Sequence, residues 1–362
     1  MTTWRYCSVD IVTGQVKAAN LPLTKVGITE GIGTTGELSA SLPLDGATPD
    51  MIGGVWPRRN LIFALLNETP IWAGIIWNWA HTTMKGNSLP LKATTLESLL
   101  NKRTIDETLT YTTEDPFNIV RDLISYALSK SAEAAIPSLA VSSNLLGTTT
   151  SVSYAKADHT PVWDAIKALA DANGFEYALL PQWNGGSLGV LLYLGTPSIG
   201  TTLPSASLTY PGNVTDASWP IMGEGCNNSV LALGDTPTNG VQLTSVAPYG
   251  VDQQDLDQGY PLMQTTVSCS NRGLTTQAMI DAFADAEVAM QVTATNSPEV
   301  IVPVNGPNQL SLVNLRSGNY VNLSLLSPLT PTGQGVLGRI TNVSTTISNE
   351  GKDEAKLTIG IV

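Results

Sequence analysis

The pattern of apolar and polar positions divides the chain into β-like ends and a middle that carries helices. Trp4 to Ile11 alternates, a turn follows at Thr13-Gly14, and Val16 to Ala18 begins the return strand. Leu38-Ser39-Ala40-Ser41-Leu42 keeps a period of two, as a half-buried strand requires. Leu61–Leu66 and Ile71–Trp79 are more continuously apolar. They are split by Asn67-Glu68-Thr69-Pro70, a turn signal, so the pair predicts a hairpin and no membrane span. Short strands at this spacing, with Gly and Pro turns between them, predict a small barrel or sandwich.

Helical periodicity begins after residue 100. Asp115-Pro116 reads as an N-cap with proline in the first turn, and Phe117, Val120, Ile124, Ala127 and Leu128 form one face. Thr160-Pro161 opens a second helix in the same way. Val162, Ile166, Leu169 and Ala170 form its stripe, and Asn173-Gly174 closes it. Phe175–Leu180 and Leu188–Leu194 then predict a hairpin across Asn184-Gly185-Gly186. Strands resume from Ser205, clearest at Val230–Leu233 and Val241–Val246. A third helix fits residues 275–291, with Met279, Phe283, Ala286 and Met290 on one face and Asp281 and Asp285 on another. The chain then reads as β through Glu299–Val304, Asn319–Leu325, Val336–Thr346 and Ala355–Ile361.

Within this pattern one phrase occurs twice, about 260 residues apart: Gly74-Ile75-Ile76-Trp77-Asn78 and Gly338-Arg339-Ile340-Thr341-Asn342. Each copy follows an apolar run and leads through a polar turn, Lys85-Gly86-Asn87 or Asn349-Glu350-Gly351-Lys352, into one more strand. Gly74, Ile76 and Asn78 therefore match Gly338, Ile340 and Asn342. The match is either a chance recurrence of a β-friendly phrase or the mark of two related β-domains bracketing something else. The expected fold class is mainly β with an α+β insertion: a β-domain at each end, either a small antiparallel barrel or a sandwich, and a central α+β region. The expected domains are a first β-domain over 1–100, open to completion by strands from 206–248, an α+β domain over 101–205, strands with helix 275–291 over 206–300, and a second β-domain over 301–362.

Composition narrows the setting. Only 13% of the 362 residues are charged, about half the usual share, which suits a β-rich protein in an assembly or a secreted binding module. The net charge of −12 is carried by the middle: residues 131–315 hold fifteen acids and three bases, Lys156, Lys167 and Arg272. That excess opposes nucleic-acid binding and suits either solubility or a surface that DNA slides past. Three scattered cysteines, Cys7, Cys226 and Cys269, suggest neither a zinc site nor a disulfide framework, and read as small buried apolar residues in a reducing compartment.

Candidate chemistry is sparse. His81 and His159 stand away from any Cys, Ser or acid at catalytic spacing and read as structural. Asp252, Asp255 and Asp257 with Gly259 loosely resemble a calcium loop but lack its spacing and closing Glu. Trp72, Trp77 and Trp79 fit either a sugar platform or barrel core and subunit interface, with Trp77 and Trp79 expected on one face. No cofactor, metal or catalytic residue is assigned.

The order of phrases along the chain resembles the minor tail proteins that form the tail-tip hub of long-tailed actinobacterial phages. The residues that carry this are Trp4-Arg5-Tyr6 through Asp10-Ile11-Val12-Thr13-Gly14, Leu21-Pro22-Leu23, Gly36 to Leu44, Pro57-Arg58-Arg59 and Ile71 to Ile76. Gly174-Phe175-Glu176-Tyr177, Tyr260-Pro261-Leu262, Ser317 to Val321 and Gly338-Arg339-Ile340 continue it. Asn319 departs from the acid frequent in that group. The resemblance implies a fold similar to the contractile-phage baseplate hub and a non-enzymatic homotrimer. Two barrels per chain would then join a sixfold tail tube to a threefold tip. It also implies as partners the distal tail protein, other minor tail proteins and the tape-measure protein. DNA would pass through the lumen without specific binding, and the protein would be made in the host cytoplasm and reside in the virion. The rival from another class is a secreted carbohydrate-binding or adhesion module using the surface tryptophans. A tail-tip hydrolase is third.

Overall fold

Period-two alternation at both ends of the chain builds a single 13-stranded sheet. The structure, a computed structural model, describes residues 3–79, 87–196, 198–201, 203–223, 226–234, 242–269, 276–291, 295–327, 330–348 and 352–361. The expectations for His81, for the turn at Lys85-Gly86 and for the turn at Asn349-Glu350-Gly351 lie outside those residues.

The first strands are β1 (Trp4–Asp10), β2 (Val16–Ala18), β3 (Thr24–Gly31) and β4 (Thr34–Pro43), followed by the short helix α1 (Pro49–Gly53). Then come β5 (Asn60–Leu66), β6 (Thr69–Trp79) and β7 (Ser88–Thr94). The continuous apolar run of β5 reflects burial on both faces. Ile62 and Ala64 enter one core with Leu38, Leu42, Trp72 and Ile76, while Leu61, Phe63 and Leu65 enter another with Cys7, Val9 and Ile75. The two-residue turn Asn67-Glu68 holds both residues at positive φ, which makes it the tight hairpin connection that matches strand twist.

An α+β segment follows: α2 (Glu97–Leu100), β8 (Leu109–Glu114), α3 (Pro116–Ser129), β9 (Leu139–Val141), β10 (Thr150–Tyr154), α4 (Val162–Asn173), β11 (Glu176–Asn184) and β12 (Ser187–Gly195). Asp115 caps α3 by accepting from the Phe117 amide at 2.8 Å, with Pro116 in the first turn. Helix α4 departs from expectation at its start, where Pro161 and not Thr160 is the cap residue. Pro161 stays extended because it forms a bridge with Thr104 while the Val162 amide donates to the Arg103 carbonyl. Gly174 at φ 65° closes α4, and Gly185-Gly186 at φ 57° and 89° makes the β11–β12 turn. Phe117, Ile124, Ile166, Leu169, Phe175 and Tyr177 meet in one core.

The next strands are β13 (Ala206–Tyr210) and β14 (Asp216–Ser218). Residues 218–298 then form a separate compact unit, while residues 1–217 and 299–362 form the other. The separate unit holds β15 (Ile221–Met222), β16 (Ser229–Leu233), α5 (Gln253–Asp257), β17 (Gln264–Ser268), α6 (Gln277–Gln291) and β18 (Thr295–Asn296). Its described residues show no strand at 242–246, only a bridge from Thr244 to Leu233. The buried side of α6 is also not the expected one: Ile280, Ala284 and Val288 face inward, and Met279 is exposed. Asp281 and Asp285 set this rotation, because they accept from the Val246 and Gly250 amides at 3.0 and 2.7 Å. Phe283 is half-buried against the same core, and turning Met279 inward as well would strip those loop amides of their partners.

The chain ends with β19 (Glu299–Val304), β20 (Tyr320–Ser327), β21 (Thr330–Ile347) and β22 (Asp353–Ile361). The sheet runs β14-β19-β22-β21-β3-β4-β7-β6-β5-β1-β2, with β20 on β21 and β13 on β20. The described residues of 206–248 therefore add no strand beside β1–β7. β13 lies on β20, and β14 on β19.

Candidate functional site

The repeated phrase lies on two long strands with coincident registers. Gly74 of β6 opposes Ile62 of β5, and Gly338 of β21 opposes Val321 of β20. On their other sides, Ile76 opposes Ala93 and Ile340 opposes Ile359. Each ladder then skips one residue, Trp77 or Thr341, before Asn78 meets Lys92 and Asn342 meets Thr358. A bulge at the x between Ile and Asn is thus present in both phrases. Both glycines sit at crowded rungs: a Cβ at Gly74 would overlap the Thr94 carbonyl and the Trp72 ring, and one at Gly338 would overlap Ile359.

The coincidence extends outward. Pro43 of β4 opposes Ser88, and Pro303 of β19 opposes Glu354, the same number of rungs from the bulge. The Thr24 hydroxyl donates to the Ser41 carbonyl at 3.3 Å, and the Thr215 hydroxyl to the Ile301 carbonyl at 3.0 Å. In space the first strands run β3-β4-β7-β6-β5-β1, and the last run β14-β19-β22-β21-β20-β13. Chain order within the two runs is also the same. The exception is direction, since β1 is antiparallel to β5 while β13 is parallel to β20.

The two runs meet along one seam, where β21 lies antiparallel on β3 from Asn342 opposite Gly31 to Ile347 opposite Val26. Ile347 enters the core of the first run. Side chains fasten the same region. The Trp4 indole donates to the buried Asp353 at 2.7 Å, and Arg316 pairs with Glu30, its Nε 2.8 Å from Oε1. Arg339 grips Glu176 with both terminal nitrogens, Nη1 to Oε1 at 2.7 Å, and donates to the Gly318 and Ile199 carbonyls. Burial pushes the Glu176 carboxyl up, but the Arg339 and Ile199 hydrogen bonds outweigh it and leave it below the usual range. With side chains only 15% and 26% exposed, losing one partner strands the other. Arg339→Ala should therefore cost about 3 kcal/mol in a denaturant melt. The Glu176→Ala, Arg339→Ala double variant should cost clearly less than the sum of the two single changes.

No family model matches this chain, and no curated protein matches it. Solved structures do. The chain is similar to the tail protein from Neisseria meningitidis MC58, with TM-score 0.62 and 12% identity over 98% of this chain and 96% of that one. It is similar also to the 43 kDa tail protein of prophage MuSo2 from Shewanella oneidensis, with TM-score 0.65 and 10% identity over 98% and 97%.

This chain has the fold of phage tail proteins.

A third similar structure is the E. coli c3393 protein, a type VI secretion component described as resembling the T4 tail proteins gp27 and gp5. Its TM-score is 0.50 at 10% identity, over 94% of this chain and 74% of that one.

Within this tail-protein fold the tryptophans form no shared platform. Trp72 is buried in the core with Ile76, Trp77 packs on the opposite core and donates to Thr94 and Ser98, and Trp79 returns to the first side beside Trp56. Trp77 and Trp79 were expected on one face. The bulge at Trp77 inserts an extra residue and reverses the parity beyond it. Of the cysteines, Cys7 and Cys269 are buried, whereas Cys226 is half-buried, contrary to expectation. His159 is an exposed residue at φ 45° between a 3₁₀ turn and Pro161. Asp252 caps α5 through the Asp255 amide, and Asp255 accepts from Asn228 at 2.8 Å, so two of these acids are used structurally. Among the described residues no cluster of metal-ligating side chains occurs, and no helix is long and apolar enough to cross a membrane.

One feature carried no sequence signal. A cavity of about 290 Å³ is lined by Trp72, Thr95, Glu97, Tyr177 and the Glu30–Arg316 pair. Glu97 is buried, among the described residues neither its Oε2 nor the Trp72 indole nitrogen has a hydrogen-bond partner, and burial pushes the Glu97 carboxyl up to about 7. Burial, with the Glu97 charge adding to it, holds the Tyr177 phenol up at about 12.

Proposed function

We propose that the chain is a structural, non-catalytic hub protein of a bacteriophage tail, a homotrimer that forms a ring between a sixfold tail tube and a threefold tip. The observation that carries this reading is the pair of six-strand runs with the same order in chain and space and the same bulge at Gly-x-Ile-x-Asn. Two copies of one β-unit per chain make six similar units in a trimer, which meets sixfold and threefold neighbours alike. In this reading Gly74, Ile76 and Asn78 are the counterparts of Gly338, Ile340 and Asn342, and each run closes as one barrel of the ring. Residues 218–298 are then an insertion at the place where the first unit has its short β3–β4 turn.

The fold shared with a tail protein from Neisseria meningitidis and a prophage tail protein from Shewanella oneidensis supports a place in the virion. The distal tail protein, other minor tail proteins and the tape-measure protein are the partners such a ring would contact. The acid excess of residues 131–315 supports passage of DNA without adhesion, since phosphates find few cations to neutralise them. Purified protein should weigh about 115 kDa in solution, three times the 38.2 kDa chain, and antibody labelling should mark one end of the tail. A particle that stays at the mass of one chain at high concentration, and virions unlabelled at the tail end, would remove this reading.

A further inference from the structure

Two polar groups in the wall of the Glu97 cavity are left unmatched by the protein around them. Glu97 is 7% exposed and Trp72 2%, and among the described residues the Glu97 Oε2 and the Trp72 indole N–H have no hydrogen-bond partner. Gly36 keeps a side chain off that indole, since a Cβ there would lie 3.1 Å from its nitrogen. Thr95 is engaged with the same glycine, whose amide donates to its hydroxyl at 2.9 Å. The charged residues lining the cavity are Glu30, Glu97 and Arg316, and Arg316 is held by Glu30, Nη2 to Oε2 at 2.7 Å. An ionised Glu97 therefore leaves one negative charge unmatched in the cavity, which is costly. Leu179, Ile199 and Tyr177 add apolar wall beside these groups. A volume of about 290 Å³ is at the lower end for pockets that hold small molecules.

We propose that this cavity binds a small organic monocation, whose primary ammonium group donates to the Glu97 carboxylate and whose ether or hydroxyl oxygen accepts from the Trp72 indole N–H. Each element of that ligand answers one observation. The ammonium supplies the donor and the single positive charge, the oxygen supplies the acceptor, and the carbons between them suit Leu179 and Ile199. A bare metal ion suits the wall less, because the Trp72 N–H presents its positive end. The lining residues all belong to the unit formed by residues 1–217 and 299–362, so the site needs one chain and no ring. Burial raises the Glu97 carboxyl from 4.5 to about 7, so at pH 6 the ligand meets it mostly neutral. On binding, the carboxyl O–H breaks, its proton passes to solvent, and the ammonium keeps its own protons. The other titratable groups lining the cavity are the paired Glu30 and Arg316 and the phenols of Tyr177 and Tyr193. The Tyr177 phenol is held up at about 12 and keeps its proton throughout.

The test is calorimetric titration of the whole chain with aminoethoxyethanol, and with diethylene glycol, in which a hydroxyl replaces the amine. At pH 8 the amine should bind at least tenfold more tightly than the diol. Its affinity should fall about tenfold from pH 8 to pH 6, because Glu97 must first give up its proton. Heats measured at pH 6 in phosphate and in MES, neither a primary amine, should report about one proton released per ligand bound. Glu97→Gln should weaken the amine at least tenfold and remove the pH dependence, and Trp72→Phe should weaken it at least threefold. Should either variant fail to fold, the pH dependence and proton release of wild type still decide the matter. An amine that does not bind at pH 8, or binds no better than the diol, overturns the site. So does an affinity that is equal at pH 6 and pH 8, or a folded Glu97→Gln that binds as tightly as wild type.

Discussion

Gly74→Ala should destabilise the protein by about 3–5 kcal/mol, more than any single exposed substitution. The new methyl would overlap the Thr94 carbonyl and the Trp72 ring. The carbonyl belongs to the β6–β7 ladder, where Thr94 opposes Ile75, and cannot withdraw without breaking it. The ring is packed in a core whose other members are themselves buried. Gly338→Ala meets a softer obstacle, because the nearest atom is a methyl of Ile359 and the next carbonyl, that of Gly360, lies at 3.4 Å. A cost of about 1–3 kcal/mol follows from overpacking of this kind. Denaturant melts at one fixed protomer concentration check both. A Gly74 variant within 1 kcal/mol of wild type, or ranked below the Gly338 variant, would show that β6 is not the crowded strand described here.

Glu97 carries the second large effect. Its folded carboxyl is raised from 4.5 to about 7 by burial, so the folded state holds this proton more tightly than the unfolded chain. The contribution to stability is then fully present below pH 4.5, declines as pH rises, and is gone above about 7. A shift of this size corresponds to roughly 3 kcal/mol lost between pH 4 and 8. Glu97→Gln keeps the shape and one donor but cannot ionise, and should flatten that part of the profile. The variant should thus gain on wild type by roughly 3 kcal/mol on passing from pH 4 to pH 8. Melting midpoints at both pH values read this directly, and parallel profiles would show that Glu97 is not held neutral. Its place explains the sensitivity: the cavity is also lined by Tyr177 of β11 and by Arg316, so an ionised carboxylate there would draw water into it.

Local signals in the sequence were the legible ones. Alternation located β1, β4 and β19, the double burial of β5 showed as a continuous apolar run, and Asp115-Pro116 and Asn184-Gly185-Gly186 marked a cap and a turn that the structure contains. What failed depends on contacts made from elsewhere. Trp77 and Trp79 lie on different faces because of a bulge, which is defined by the partner strand and not by its own residues. The rotation of α6 is set by loop amides at Val246 and Gly250, far off in the chain. Glu176 and Arg339 lie 163 residues apart with nothing in spacing to join them. Glu97 looked like one acid among thirty until the cavity around it was visible. The repeated Gly-x-Ile-x-Asn phrase pointed at strands whose registers coincide, although the match of all six strands in each run lay in pairing order, which sequence does not display.

The most direct measurement is an electron cryomicroscopy map of the assembled tail tip. Three chains should surround the tail axis, with Gly74 and Gly338 alternating at one height and one radius, about 60° apart. A ring in which one of these glycines lies at a different radius or height, or outside the β-layer altogether, would contradict it.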